Sequence, residues 1–519
     1  MNPNQKNTIE NQIERRTDKT TNYEGGLAFE PSMKLKLYLQ VATWLVGEPK
    51  FYKDSDDDGN QYENQDNSII SLIQTVAKQD PQFVLKLAIY ARTQLYLRTA
   101  PQVMLVECSL INEAKPYVRK AAPKIILRPD ELATCVAYLQ SKVGNIGNAS
   151  PSGSMPAALK RGLADAFVNF TEYQLQKYNN LRKSVKLVDV LRLVHPKPKD
   201  DKQSDMFKRL IQNNLQTPQT WETIISDKGS NRQSWLRAAK IMPYMATLRN
   251  LRNLMQNDAL TQDIITRLTD REKIAKSKQF PFRFFSAYRE IQDTAEGFDK
   301  NTVLAALDTA LNLSIDNIPK LKGNTFLSAD NSGSMGQIIS TKSKVTYENI
   351  ANLFMAMSSR FCEKSIASIF GDNLAIVPMP LTAGAISNMM RITNGMVGYS
   401  TNGWLIFDYL LQNNIKADRI IIFSDMQMYD SRYSHYQGMG ESLYKKLLEY
   451  KRKINPDVIV YSFDLAGYGS IQIPEDQSNV VQIAGFSDKI FQFMQLYESD
   501  RKSALNQIEE MNITAQDTT

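Results

Sequence analysis

Asp330, Ser332 and Ser334 stand in the order D-x-S-x-S within the run Asp330-Asn331-Ser332-Gly333-Ser334-Met335. A second acid, Asp425, follows Ser424, and the loop Gly398-Tyr399-Ser400-Thr401-Asn402 lies between them in the chain. Two carboxylates with the hydroxyls of residues 332, 334 and 401 make an oxygen-only ligand set. Such a set suits a small, hard divalent cation that keeps some of its waters. Mg²⁺ fits first and Mn²⁺ second, and zinc is disfavoured because no thiolate or imidazole adjoins. The hydroxyls are neutral, so the ion is left under-neutralised and an outside carboxylate or phosphate can complete its shell. The alternative for the first run is a helix-capping Asp and Ser turn that holds no metal.

A different chemistry is spelled in the middle of the chain. Lys160, Arg161, Lys177, Arg182, Lys183, Lys186, Arg192, His195, Lys197 and Lys199 crowd one segment. Cations gathered in this way bind phosphates, with an affinity that falls as salt rises. A histidine among them can stack on a base or donate to phosphate. The alternative is a solvated lysine-rich helix face with His195 as a local cap. The net charge of +7 permits a polyanionic partner without demanding one.

The elements that must carry these residues differ between the two regions. From Ser32 to Pro319 apolar residues recur at three- and four-residue spacing, as in Leu35, Leu37, Leu39, Val41, Ala42, Leu45 and Val46, or Ile69, Ile70, Leu72, Ile73, Val76 and Ala77. Asp80-Pro81 and Pro129-Asp130-Glu131 read as helix starts. Serial helix pairs suggest an α-solenoid, although no fixed-period repeat is visible. Asp54–Asp66 and Gly144–Met155 read as surface loops. Near Leu321 the pattern changes. Strands are expected at Thr325–Ala329, Ser365–Phe370, Leu374–Val377, Arg419–Ser424 and Val458–Phe463, with helices at Val345–Cys362, Gly403–Leu411 and Ser487–Leu496. Strands alternating with helices argue for a doubly wound parallel sheet, whose ligands sit at the carboxyl ends of strands. Asp330 and Asp425 fall at two such ends.

With 519 residues, more than one domain is expected. The divisions read from the sequence are a disordered N-terminal arm at 1–24, a helical domain at 25–320, an α/β domain at 321–500 and a C-terminal tail at 501–519. Three widely spaced cysteines, Cys108, Cys135 and Cys362, exclude a disulfide framework and suit a reducing compartment, the cytoplasm, or also the nucleus in a eukaryotic host. Two histidines, His195 and His435, are too few for a histidine-rich metal site. No apolar run approaches the ~20 residues that cross a bilayer, and Met1–Tyr23 lacks the apolar segment of a secretory signal. No phosphate-binding glycine loop, nucleophile elbow or dinucleotide fingerprint occurs, and neither Asp330 nor Asp425 has a neighbouring histidine or glutamate as general base, so no enzyme is expected.

The acidic-hydroxyl constellation resembles the metal-ion-dependent adhesion site of von Willebrand A domains. Its D-x-S-x-S matches Asp330, Ser332 and Ser334, and its later Thr and Asp match Thr401 and Asp425. The commoner threonine loop reads Gly-Gly-Thr, whereas Tyr399-Ser400 precedes Thr401 here, so either Ser400 or Thr401 supplies the hydroxyl. The helical region resembles the TROVE module of telomerase, Ro and vault proteins in three stretches. One runs from Lys160-Arg161-Gly162-Leu163 through Lys177-Tyr178 to Asp189-Val190-Leu191-Arg192-Leu193-Val194-His195-Pro196-Lys197-Pro198. The second is Lys240-Ile241-Met242-Pro243-Tyr244-Met245-Ala246 with Leu248-Arg249-Asn250-Leu251, and the third is Pro281-Phe282-Arg283-Phe284-Phe285-Ser286-Ala287-Tyr288. Their order, followed by an A-type domain, is that of the Ro ribonucleoprotein family.

The resemblance implies an α-helical ring of HEAT-like repeats followed by an α/β doubly wound A-type domain. It implies a non-catalytic scaffold or RNA chaperone that binds small structured non-coding RNA (Y RNA-like) on a basic outer surface. Single-stranded ends of misfolded RNA would enter a ring hole. RNA contacts carry over to Lys177, Arg182 and His195, with Lys160, Arg161, Arg192 and Lys197 on the same surface. The spacing from Lys177 to His195 is one residue longer than the family pattern. The alternative is a metal-dependent module for an acidic protein partner, or a subunit of a telomerase- or vault-type particle. Met242, Leu248, Leu251, Phe282, Phe284 and Phe285 are expected in the core, while Arg249 and Arg283 either line a hole or pair with carboxylates.

Overall fold

The periodic apolar residues of the helical region are buried, along one stripe in helices such as Asn67–Gln79 and nearly all round in Ala100–Leu110. In Asn67–Gln79 the residues Ile69, Ile73, Val76 and Ala77 are buried, one and two turns apart. The following helix, Pro81–Thr93, starts as its sequence demands, with the Asp80 carboxylate accepting from the Phe83 N–H at 3.0 Å. Pro129–Val143 also starts where expected, with Glu131 as its capping carboxylate. Glu131 reaches back to the N–H groups of Leu127 (2.8 Å) and Arg128 (3.1 Å), and its other oxygen lies 2.8 Å from buried Arg92. Asp130 instead pairs with Arg128 at the surface. The computed structural model describes residues 3–43, 67–144, 154–216, 220–277, 279, 281–294, 299–315, 320–339, 345–392, 396–432, 440–484, 494–495, 497–498 and 504–513. The expected loop at 54–66, most of that at 144–155, the closing helix at 487–496 in large part, and His435 lie outside the described residues.

The chain forms two compact units. One comprises residues 33–218 and 502–519, and the other residues 1–32 and 219–501. The first is helical, running from Met33–Thr43 through Asp201–Ile211 and taking in Ala504–Glu510. The stretch expected to be a tail thus contributes a helix whose Ala504 and Ile508 are buried, and Glu509 pairs with Lys34 at 2.8 Å.

In the second unit, residues 3–24 are not the disordered arm expected from the polar sequence. Pro3–Glu14 is a helix with Ile9 and Ile13 buried, and it leads into an antiparallel hairpin of β1 (Lys19–Thr21) and β2 (Leu27–Phe29). Two isoleucines at i and i+4 in an otherwise polar segment give a narrow but sufficient apolar stripe. Phe29, fully buried, exchanges backbone hydrogen bonds with Ile471 at 2.8 and 3.1 Å.

The rest of this unit holds helices from Trp221–Lys228 to Asp299–Ile315 and a six-stranded sheet. Met242, Leu248, Leu251, Phe284 and Phe285 are buried as expected, while the side chain of Phe282 lies outside the described residues. The strands are β3 (Leu321–Asp330), β4 (Cys362–Phe370), β5 (Leu374–Ile376), β6 (Arg419–Ser424), β7 (Ile459–Asp464) and β8 (Val480–Ala484), in the order β5-β4-β3-β6-β7-β8. All neighbours are parallel except β4 and β5. Only Gly371–Asn373 joins that antiparallel pair, too little chain for a parallel crossover. β6 and β7 are buried at every position, as both faces of a central parallel strand should be. From β3 the chain moves first to β4 on one side and later to β6 on the other. The sheet order therefore reverses beside β3, where the carboxyl ends open a crevice.

Candidate functional sites

The crevice gathers the predicted acidic and hydroxyl residues from three loops. Asp330 is the last residue of β3 and is fully buried. Its Oδ1 accepts the Ser332 N–H (3.0 Å), and its Oδ2 accepts the Ser424 hydroxyl from the end of β6 (2.6 Å). The hydroxyls of Ser332 and Ser334 lie 3.3 Å apart. Asn331 anchors this turn by exchanging two amide hydrogen bonds of 2.9 Å with Asn352 on the helix Tyr347–Phe361. The threonine loop joins it through the Gly333 N–H, which donates to the Tyr399 carbonyl at 2.8 Å. Ser400 is turned away to Asp372, whose Oδ1 accepts its N–H at 3.0 Å. Thr401, in contrast, is buried.

Asp425 is fully buried after β6. Its Oδ1 accepts the Gln427 N–H (3.1 Å), while its Oδ2 is buried with no hydrogen-bond partner. The next residue, Met426, is held in the left-handed region (φ 63). That conformation is uncommon for a non-glycine residue and collects at functional sites. The N-terminal hairpin helps to hold it, because the Asn22 amide donates to the Met428 carbonyl at 2.7 Å and the Tyr23 N–H to Gln427 Oε1 at 2.8 Å. At Gly26 a side chain has no room, since a Cβ would stand 2.0 Å from the Met428 carbonyl oxygen. The Gln472 amide donates to the Met426 carbonyl at 2.7 Å.

Two carboxylates buried this closely resist ionisation. Burial, then the charge of Asp425, pushes Asp330 up to about 7, against the hydrogen bonds from Ser332 and Ser424. Burial also raises Asp425, and the nearby Ser334 hydroxyl, outside hydrogen-bond geometry, offsets part of this. Among the described residues no three His, Cys, Asp or Glu side chains stand close enough to hold an ion by themselves. A cation here would depend on the hydroxyls, as the sequence pattern suggests. The orphaned Asp425 Oδ2 is an acceptor of the kind such an ion satisfies.

The second constellation lies on the helical unit and is built by helix faces. In Ala157–Phe167 the residues Leu159, Gly162, Leu163 and Ala166 are buried, which leaves Arg161 exposed and Lys160 half-buried. Gly162 sets how closely this helix approaches Lys115–Ile125. A Cβ there would stand 2.7 Å from the Ala122 Cβ and 3.2 Å from the Arg119 Cα. In Leu187–Val194 the buried set is Leu187, Val190, Leu191 and Val194, so Arg192 faces solvent. His195 closes that helix in a left-handed conformation (φ 50, ψ 61), its N–H donating to the Leu191 carbonyl at 3.0 Å, while the residue stays exposed. Glycine usually fills such a cap at no steric cost. Lys177, in the last turn of Glu172–Tyr178, stands 5.9 Å from the ring of Tyr173, itself 48% exposed, and 6.0 Å from that of Tyr178. Arg182 and Lys197 are exposed on the connecting segments.

The charges of this segment divide into two classes. Arg209 is neutralised by Glu172 at 2.6 Å, Lys208 by Asp205 at 2.9 Å, and Arg119 by Asp165 at 2.7 Å. Among the described residues, Lys160, Arg161, Lys177, Arg192 and Lys197 have no carboxylate within ion-pair distance, so their charge faces outward. The predicted residues thus assemble as two separate sets, one in each unit. Ser424, Asp372, Asp464 and Tyr173 join these sites without being among the predicted site residues. Ser424 and Asp464 end buried strands as Asp330 does, and Tyr173 precedes Lys177 by one helical turn, so each left a positional signal.

The comparisons with known proteins match this architecture. The TROVE domain matches residues 52–214 and 213–304. Telomerase protein component 1 of Mus musculus is 25% identical over 328 residues, covering 46% of this chain and 12% of that protein. Its counterpart from Rattus norvegicus is 25% identical over 326 residues with the same coverage of 46% and 12%, so the chain spans only a small part of the length of these relatives. The Ro (Rsr) protein of Deinococcus radiodurans shares the fold, with a TM-score of 0.61 at 16% identity over 90% of this chain and 99% of that one. The chain thus carries a TROVE domain from residue 52 to residue 304, and it shares the fold of the Ro protein along nearly its whole length.

Proposed function

We propose that the chain is a non-catalytic RNA-binding scaffold that takes small structured non-coding RNA on the surface formed by Lys160, Arg161, Lys177, Arg182, Arg192, His195 and Lys197. The observation that carries this is the outward-facing charge of Lys160, Arg161, Lys177, Arg192 and Lys197, whereas Arg119, Lys208 and Arg209 nearby are each paired with an acid. Phosphates are the partners that such unpaired cations lack. An exposed tyrosine and an exposed histidine within the same surface offer flat faces to unpaired bases. Entry of single-stranded RNA ends into a central hole belongs to the same proposal and follows from the resemblance to Ro proteins. The three cysteines are buried and unpaired, in keeping with a reducing cytoplasmic setting. No helix among the described residues is long and apolar enough to cross a membrane.

The acidic crevice is proposed to hold Mg²⁺, or Mn²⁺, through Asp330, Ser332, Ser334, Thr401 and Asp425. The ion would supply positive charge that satisfies the Asp425 Oδ2 and lets both carboxylates remain ionised. The residues themselves hold the three loops together. The test of the RNA reading is quantitative. RNA retained by the purified protein is sequenced, and its affinity is measured for the wild type and for Lys177→Ala with His195→Ala across a salt series. The double variant is expected to bind at least tenfold more weakly at low salt, with a log-log salt slope shallower by about 1 per lost phosphate contact. Unchanged affinity with unchanged melting removes this surface from the proposal. An acidic protein partner, the alternative, would instead show as an association that survives nuclease and requires Mg²⁺.

A further inference from the structure

The carboxyl end of the sheet carries a third buried acid. Asp464 ends β7 and is 1% exposed. In the strand register Asp464 pairs with Ser424, and Ala329 pairs with Phe423, so Asp330, Ser424 and Asp464 form one row across β3, β6 and β7. Register partners project to the same face of a parallel sheet. The hydrogen bond from Ser424 to Asp330 shows the face on which this row lies. One oxygen of Asp464 has a local task, since Oδ1 accepts the N–H groups of Ala466 (3.0 Å) and Gly467 (2.8 Å) and closes the turn after the strand. The other oxygen, Oδ2, is buried with no partner, as is Asp425 Oδ2. A turn needs only the first oxygen. Two orphaned carboxylate oxygens at the carboxyl ends of the adjacent strands β6 and β7 are a costly arrangement unless positive charge lies near them.

We propose that Asp464 is a further acidic group of the cation site, acting on the ion through charge or a shared water, so that the chain itself fills the charge requirement and no outside carboxylate is recruited. The inference rests on the reading that Asp330 and Asp425 hold a divalent cation. With those two acids alone the remaining ligands are neutral hydroxyls and the ion's open positions welcome an anion. With Asp464 ionised beside them the site is net negative and repels one. Direct ligation by all three acids is not part of the proposal, because no three such side chains among the described residues stand close enough to share an ion. Glu24, exposed on the N-terminal hairpin, acts in the same sense, since its charge bears on Asp425.

The experiment uses the full chain with Mn²⁺ as the probe, its affinity read by electron paramagnetic resonance. In the wild type, added acetate up to high millimolar concentration is expected to leave Mn²⁺ affinity unchanged at constant ionic strength. Asp464→Asn keeps the Oδ1 acceptor and hence the turn. It is expected to weaken Mn²⁺ binding about tenfold, as loss of one nearby charge should, and to make acetate tighten it. Tightening by acetate in the wild type overturns the proposal without any variant being needed. Equal Mn²⁺ affinity in wild type and a folded Asp464→Asn also overturns it while leaving the cation site in place. If the wild type binds no more Mn²⁺ than Asp330→Ala, the cation reading fails and this inference fails with it.

Discussion

Divalent cation should stabilise this protein more at pH 8 than at pH 5, and the buried acids set the size of the difference. Asp330 titrates near 3.8 when unfolded and is pushed up to about 7 in the fold, chiefly by burial and then by Asp425. The fold therefore prefers the protonated acid. The favourable contribution is fully present below about pH 4 and is lost as pH rises through about 7. Each unit of displacement corresponds to ~1.4 kcal/mol, so ionising Asp330 in the metal-free protein costs roughly 4 kcal/mol by pH 8. Asp464, raised to about 7 mainly by burial, adds in the same direction. A cation lying against these acids removes the penalty, which by the same arithmetic is only about 1.6 kcal/mol at pH 5. For a unit of this size about 4 kcal/mol moves the melting midpoint by roughly 5 °C. The assay is scanning calorimetry at pH 5 and pH 8, with EDTA and with saturating Mg²⁺. The Mg²⁺ increment is expected to be several degrees larger at pH 8. Asp330→Asn in EDTA should melt above the wild type at pH 8, because the penalty is gone, and should lose the Mg²⁺ increment. Equal increments at both pH values would refute the reasoning, as would an Asp330→Asn protein still stabilised by Mg²⁺.

The remaining predictions concern other links. Asp330→Ala should abolish Mn²⁺ binding yet leave RNA affinity within about twofold, because the two sets lie in different units; parallel losses in a titration of both ligands would mean that the sites are coupled. Gly162→Ala should destabilise the helical unit by about 1–2 kcal/mol after the helix-propensity gain of alanine, since the new methyl meets Ala122 and the Arg119 backbone; urea unfolding that shows no loss would mean that the helices part freely. Ile13→Ser should detach the N-terminal helix and expose it to limited proteolysis, at a cost of about 2–4 kcal/mol; wild-type resistance to protease would deny that helix its anchoring role.

What could be read in advance follows from how locally each feature is encoded. The strand run Thr325–Ala329 ending in Asp330 is a local signal, and so is Arg419–Ser424 ending before Asp425, so the crevice was legible without any knowledge of pairing. The helix faces bearing Lys160, Arg161 and Arg192 were legible because burial at Leu159, Gly162 and Leu163, or at Val190, Leu191 and Val194, repeats at helical spacing. Features that depend on partners distant in the chain were missed. The N-terminal helix has only Ile9 and Ile13 to bury, and their value appears only once the rest of the unit supplies a surface. The last stretch of chain looked like a tail because a short helix with Ala504 and Ile508 buried is stable only against other helices. The antiparallel turn of β5 follows from the length of a connection rather than from its composition. Asp464 was passed over because the strand was read as ending at Phe463, and only its pairing with Ser424 shows what it stands beside.

The two candidate sites differ in how much of the fold each requires. The basic surface is made of side chains that leave their helices outward, and a surface of that kind tolerates small shifts because phosphate attraction is long-ranged and undirected. The acidic crevice has the opposite character. Its three loops are tied to one another by hydrogen bonds from the Ser424 hydroxyl to Asp330 and from the Gly333 N–H to the Tyr399 carbonyl, Asn352 anchors the first of them, its central strands are buried on both faces, and Met426 is held in a left-handed conformation by Asn22 and Gln472 acting on its surroundings. Buried like charges without a counter-ion oppose the fold that brings them together, so the tying must come from elsewhere in the unit. The N-terminal hairpin is part of that tying. Its contacts with the Met426–Met428 segment place the first thirty or so residues in the support of Asp425, which explains why they cluster with the sheet rather than with the helices that follow them directly in sequence.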